Sequence, residues 1–98
     1  MATLNADEVR EKLKSLPEWR LVHGEIVREA ALRDFVAAMS VVNQIAEKAE
    51  AAGHHPDIDI RYNKLRLALV SHDAGGLTMK DFDLAAAIDA ILTASSKR

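Results

Sequence analysis

The chain has 98 residues, of which 49% are hydrophobic and 29% charged, with no cysteine and a formal net charge of −2. That length supports one domain with a modest core, 1–98, and leaves no room for a second. The absence of cysteine excludes disulfides, thiolate metal sites and a cysteine nucleophile, and the charge balance gives no basic surface for nucleic acid. No apolar run approaches the roughly 20 residues of a membrane span, and no export signal opens the chain, so a cytoplasmic protein is expected.

Asn5 and Glu8 have the spacing of a capping box, and Val9, Leu13 and Leu16 follow on one helical face; Pro17 closes this first helix. Trp19–Val22 and Glu25–Ala30 read as short strands around His23-Gly24, a two-residue hairpin loop. From about Arg33 the period changes, with Phe35, Met39, Val42, Ala46 and Ala49 as the apolar stripe of a second helix. Gly53 and Pro56 should end it.

Ile58, Ile60 and Tyr62 then alternate with polar residues, as do Leu65, Leu67 and Leu69. With Asn63-Lys64 as the hairpin loop, Tyr62 faces Leu65, Ile60 faces Leu67 and Ile58 faces Leu69. Gly75-Gly76 leads into a third helix opened by Thr78 and Asp81, whose core residues are Phe82, Ala85, Ala86, Ile88, Ile91 and Leu92. The order α-β-β-α-β-β-α predicts an α+β fold: a four-stranded antiparallel sheet with three helices on one face.

Extending that hairpin register sets Pro56 opposite Ser71 and His55 opposite His72, about 5 Å apart at Cβ and able to bracket a small planar ligand. His54 points to the other side, nearer the helices. Glu50 lies in the last turn of the second helix, where a carboxylate opposes the macrodipole at a cost of about 0.3–1 kcal/mol. Four residues before His54, it is placed to accept an imidazole N–H and hold its tautomer, as an acid/base pair requires.

Plainer readings exist for each of these residues. Adjacent loop histidines serve equally as surface residues, Glu50 as a solvated helix residue, Asp81 as a cap, Trp19 as a core anchor and His23 as a turn residue. Zinc needs three or four ligands, each oriented by a further hydrogen bond; three histidines can supply a catalytic site, but no H-E-x-x-H pattern is present.

Glu50-x3-His54-His55-Pro56-x5-Tyr62-x9-His72-x8-Asp81, with the words YNK, SHDAGGLT and KDFDLA, resembles the signature of the pterin-4a-carbinolamine dehydratases. The resemblance covers nearly the whole chain, including Trp19 after the first helix and the DF at the start of the second. It implies dehydration of a 4a-hydroxytetrahydropterin to the quinonoid dihydropterin during tetrahydropterin recycling, with no metal and no organic cofactor, the pterin being the substrate. It also implies that His54 and His72 are the acid/base residues, Glu50 their supporting carboxylate, and His55 the residue that orients the pterin. Gly53, His55, Pro56, Val70, Ser71 and Asp73 would wall the pocket, Trp19 could stack on the pterin, and Tyr62 and Asp81 complete the motif.

One departure is Ile58, where many relatives carry an aromatic residue, as in HHPEW; it should change packing or pocket walls rather than proton chemistry. A homodimer or homotetramer is expected, because Ala68 and Val70 on the outer sheet face suit burial against another subunit. Animal members of the family also act as dimerisation cofactors of a transcription factor, so a non-catalytic assembly role is the alternative.

Overall fold

In the computed structural model, which describes residues 2–96, three α-helices and a short 3-10 turn accompany one four-stranded sheet. The helices are α1 (Ala6–Leu13), α2 (Phe35–Ala52) and α3 (Met79–Ser96), and the strands are β1 (Arg20–Val22), β2 (Glu25–Ala31), β3 (Asp57–Arg61) and β4 (Lys64–Leu69). All pairings are antiparallel, in the spatial order β1-β2-β4-β3. This is the expected α+β arrangement, with the long α2 crossover placing β4 between the two hairpins' other strands.

Alternation decides the faces. Ile26 on β2 and Leu65, Leu67 and Leu69 on β4 lie almost wholly buried against Ala38, Val41 and Ile45 of α2 and Ile88 of α3. Each such aliphatic side chain contributes about 1.5–3 kcal/mol on burial. The opposite face carries the charges: Arg20 pairs with Glu29, and Arg61 with Asp59, whose hydrogen bond raises the Arg61 pKa from its ordinary value.

The α1 capping box forms in full, with Asn5 and Glu8 exchanging side-chain and backbone hydrogen bonds. The helix stops at Leu13, four residues before Pro17, although Leu16 still reaches the core. The first hairpin turns at His23-Gly24, both with positive φ (49° and 81°), as a type I′ turn demands. In α2 the buried stripe is Ala38, Val41, Ile45 and Ala49. Of the expected stripe Ala49 is buried, while the rest lies rotated from the core: Phe35 is half exposed and Ala46 exposed, with Met39 and Val42 at the boundary. In α3, Leu84 takes the core position expected of Ala86, which faces solvent.

The second hairpin departs from its expected register by two residues. Ile58 pairs with Leu67 and Ile60 with Leu65, so the turn is Tyr62-Asn63. Tyr62 is exposed, with φ 56°, and does not face Leu65 from the core side. The physical reason lies in β2: Asn63 donates through Nδ2 to the Leu32 carbonyl at 2.7 Å, and Leu32 N–H donates back to the Asn63 carbonyl at 2.8 Å. That clamp continues the β2·β4 ladder beyond Ala31 and Lys64 and fixes the turn where local spacing alone does not.

Candidate functional site

With this register His55 cannot stand opposite His72; Val70 occupies that position when the β3·β4 pairing is continued. The three histidines still belong to one end of the sheet, where α2 feeds β3 and β4 feeds α3. Each has a different carboxylate environment.

Gly53 ends α2 in the left-handed conformation (φ 62°, ψ 33°), its N–H bonded back to the Ala49 and Glu50 carbonyls. Glycine adopts this conformation without the Cβ penalty. The reversal breaks helical geometry between Glu50 and the histidines, so the expected Glu50–His54 pair does not form. Glu50 Oε2 instead meets His55 Nε2 at 2.5 Å, and both side chains are exposed, at 78% and 63%.

His54 turns inward, with 11% of its side chain exposed, and its Nε2 lies 2.5 Å from Asp81 Oδ1. Asp81 is fully buried. Its other oxygen accepts from Thr78 N–H and from Ser71 Oγ, both at 2.9 Å, and Ser71 Oγ also lies 2.9 Å from Thr78 Oγ1. One carboxylate thus starts α3, fixes the end of β4 and holds an imidazole. A carboxylate takes only donors, so this network assigns the hydrogen to His54 Nε2 and leaves Nδ1 for chemistry.

A cleft of about 130 Å³ opens beside this pair, lined by Gly53, His54, Ser71, Asp73, Ala74, Thr78 and Lys80. Three of the expected wall residues, Gly53, Ser71 and Asp73, meet here beside the catalytic candidate His54; His55, Pro56 and Val70 do not line it. Ser71 is 3% exposed, so its hydroxyl is committed to Asp81 and Thr78 and it walls the cleft as a structural residue. Thr78 is expected from the sequence only as a helix cap, and Lys80 not at all; only proximity to Asp81 at the α3 N-terminus signals their place beside the cleft.

Trp19 takes its core-anchor role and not that of a stacking platform. Its ring is 4% exposed and its Nε1 donates to Asp89 Oδ1 of α3 at 2.8 Å, an oxygen shared with Arg28 Nη1. Burial of both the ring and its polar edge leaves no open face for a ligand.

His72 begins the 3-10 turn His72–Ala74, whose other two residues line the cleft, but its own ring is exposed on the outer side. There its nitrogen and carboxylate oxygens of Glu25 and Asp57 all lie within 4.8 Å of one another, a donor set with the composition to hold a metal ion.

Three comparisons bear on this geometry. Residues 2–91 match the sequence profile of the family described as pterin 4 alpha carbinolamine dehydratase. A protein of Acidobacterium capsulatum named "Putative pterin-4-alpha-carbinolamine dehydratase" is 64% identical over 94% of this chain and 100% of its own length. One of Chloroflexus aurantiacus with the same name is 59% identical over 94% and 99%. Among solved structures, a transcriptional coactivator/pterin dehydratase from Brucella melitensis superposes with TM-score 0.88 at 32% identity, over 91% of this chain and 97% of that one. A pterin dehydratase-like protein that is a RuBisCO assembly factor in the alpha-carboxysome shares the fold, with TM-score 0.64 at 19% identity over 76% of this chain and 88% of that one.

Proposed function

The chain belongs to the pterin 4 alpha carbinolamine dehydratase family, and from that membership we propose that it dehydrates a 4a-hydroxytetrahydropterin by histidine acid/base catalysis, without a cofactor, in tetrahydropterin recycling. The observation that carries the reading is the His54–Asp81 pair at the wall of the cleft. In the reaction the C4a–O bond breaks and the hydroxyl leaves as water after taking a proton. The N5 proton is removed, and its electron pair forms the C4a–N5 double bond of the quinonoid dihydropterin.

Two proton transfers at opposite ends of a short atom chain suit two imidazoles near neutral pH, each positioned group giving about 10²- to 10⁴-fold. His54, oriented by Asp81, is one of them. His72, at the rim of the same turn, is the other. His55 with Glu50 orients the pterin at the open side. The 130 Å³ cleft is smaller than the roughly 300–1,000 Å³ of drug-sized ligand pockets, so it takes one edge of the pterin and leaves the rest to the rim.

The fold alone supports an assembly role equally, because the RuBisCO assembly factor shares it. The buried His54–Asp81–Ser71 network favours catalysis, since an assembly surface has no need of an imidazole held beside a cleft. The protein is taken to act in the cytoplasm as a homodimer or homotetramer; the exposed apolar side chains Phe35 and Val36 at the start of α2 support association.

The test follows quinonoid dihydropterin formation from fresh carbinolamine. Wild type should accelerate the reaction, and His54→Ala and His72→Ala should each lose most of the gain. No acceleration by wild type over the spontaneous rate would sink the enzyme reading in favour of assembly.

A further inference from the structure

The β4 end of the sheet carries a second constellation, made of residues that do not line the cleft. β4 runs between β2 and β3; Asp57 stands directly opposite Ala68, and Glu25 lies one step beyond the Ile26–Leu69 pair, beside Val70. Both acidic side chains therefore flank β4 on its outer face, and His72 follows two residues after Val70, with the same parity. Three strand ends in one hydrogen-bonded frame thus aim one nitrogen and two oxygen donors at a common point, all within 4.8 Å.

The charge pattern points independently to a cation. Elsewhere on this face carboxylates have guanidinium partners, Glu29 with Arg20 and Asp59 with Arg61. Among the described residues neither Glu25 nor Asp57 has an ion pair with lysine or arginine, and the two like charges are neighbours. We propose that Glu25, Asp57 and His72 form a binding site for one divalent transition-metal ion of the zinc class on the outer face of the sheet.

One imidazole and two carboxylates form a donor set that suits zinc and leave a fourth position to water. Donor atoms on a tetrahedral zinc lie about 3.4 Å apart, given bonds of about 2.1 Å, so small rotamer changes of exposed Asp57 and His72 and half-buried Glu25 close the set. If His72 acts as the Proposed function holds, the ion takes the ring nitrogen that proton transfer needs. Metal would then inhibit the dehydratase, and this consequence alone rests on that reading.

The experiment titrates the metal-free full chain with Zn²⁺ by calorimetry and with Co²⁺ by visible absorption, alongside circular dichroism to confirm folding. One ion per chain is expected. His72→Ala, Asp57→Asn and Glu25→Gln should each weaken binding at least ten-fold, and His55→Ala should leave it within two-fold. Absence of saturable binding below millimolar metal overturns the site, as does a loss that follows His55→Ala or Glu50→Gln instead. Saturable binding with the expected variant pattern supports the site even if wild type fails to accelerate dehydration, an outcome that would sink only the enzyme reading. In an active protein, Zn²⁺ should slow the reaction and a chelator should restore it.

Discussion

His54–Asp81 and His55–Glu50 are two imidazole–carboxylate pairs of the same length, built from adjacent histidines, yet one is sealed against α3 and the other lies in water. In water a pair at this distance gains little, because solvent screens the charges and two flexible side chains must be ordered; exposed pairs contribute about 0–1 kcal/mol. In the interior the same contact is stronger and loss of one partner strands the other, which costs about 3–5 kcal/mol. Burial, more than the pair itself, makes one histidine a fixed reagent and the other an adjustable contact.

The comparison breaks most visibly at the buried pair. His54→Ala should lower kcat for carbinolamine dehydration by about 10²- to 10⁴-fold while the fold persists, as steady-state rates and circular dichroism would show. Equal rates for His54→Ala and wild type would remove the buried pair from the mechanism. Asp81→Asn preserves shape but turns one acceptor into a donor, which then faces either His54 Nε2 or Thr78 N–H. A loss of about 2–4 kcal/mol in denaturant unfolding is expected, with a larger fall in kcat than in KM.

A smaller effect sharpens the exposed side. Glu50→Gln should change stability by less than about 0.5 kcal/mol, and its effect should fade as salt rises. If the Glu50→Gln and Asp81→Asn losses were of similar size and equally salt-sensitive, the distinction drawn from burial would fail. Gly53→Ala tests the reversal that separates the pairs: open space surrounds the position, so the change costs only the left-handed backbone penalty, about 1–2 kcal/mol in thermal unfolding.

Much of this was legible in the sequence for a specific reason. Period-two alternation in 57–62 and 64–69 defines which side chains share a face, and a slip of two residues leaves that parity intact. The hydrophobic pattern is therefore silent on register, and Asn63–Leu32, a contact between distant segments, decides it. Likewise the spacing Glu50-x3-His54 suggests a pair only if the helix continues, and Gly53 ends it. Asp81 was recognisable as the start of α3, but its second role depends on His54, 27 residues earlier in the chain. The rotated stripe of α2 was obscured because that helix is apolar over more than one face, with Phe35, Met39, Val42 and Ala46 beside the buried set.

Gly53 leaves only His54, His55 and Pro56 before β3 begins at Asp57. Connecting segments ordinarily tolerate insertions. This one is a counting device: successive side chains alternate in side, so one added or deleted residue would exchange the inward and outward positions, presenting the wrong neighbour to Asp81. Length, as much as residue identity, is thus the inherited constraint on this link, and a variant library should find substitution at Pro56 milder than any single-residue insertion beside it.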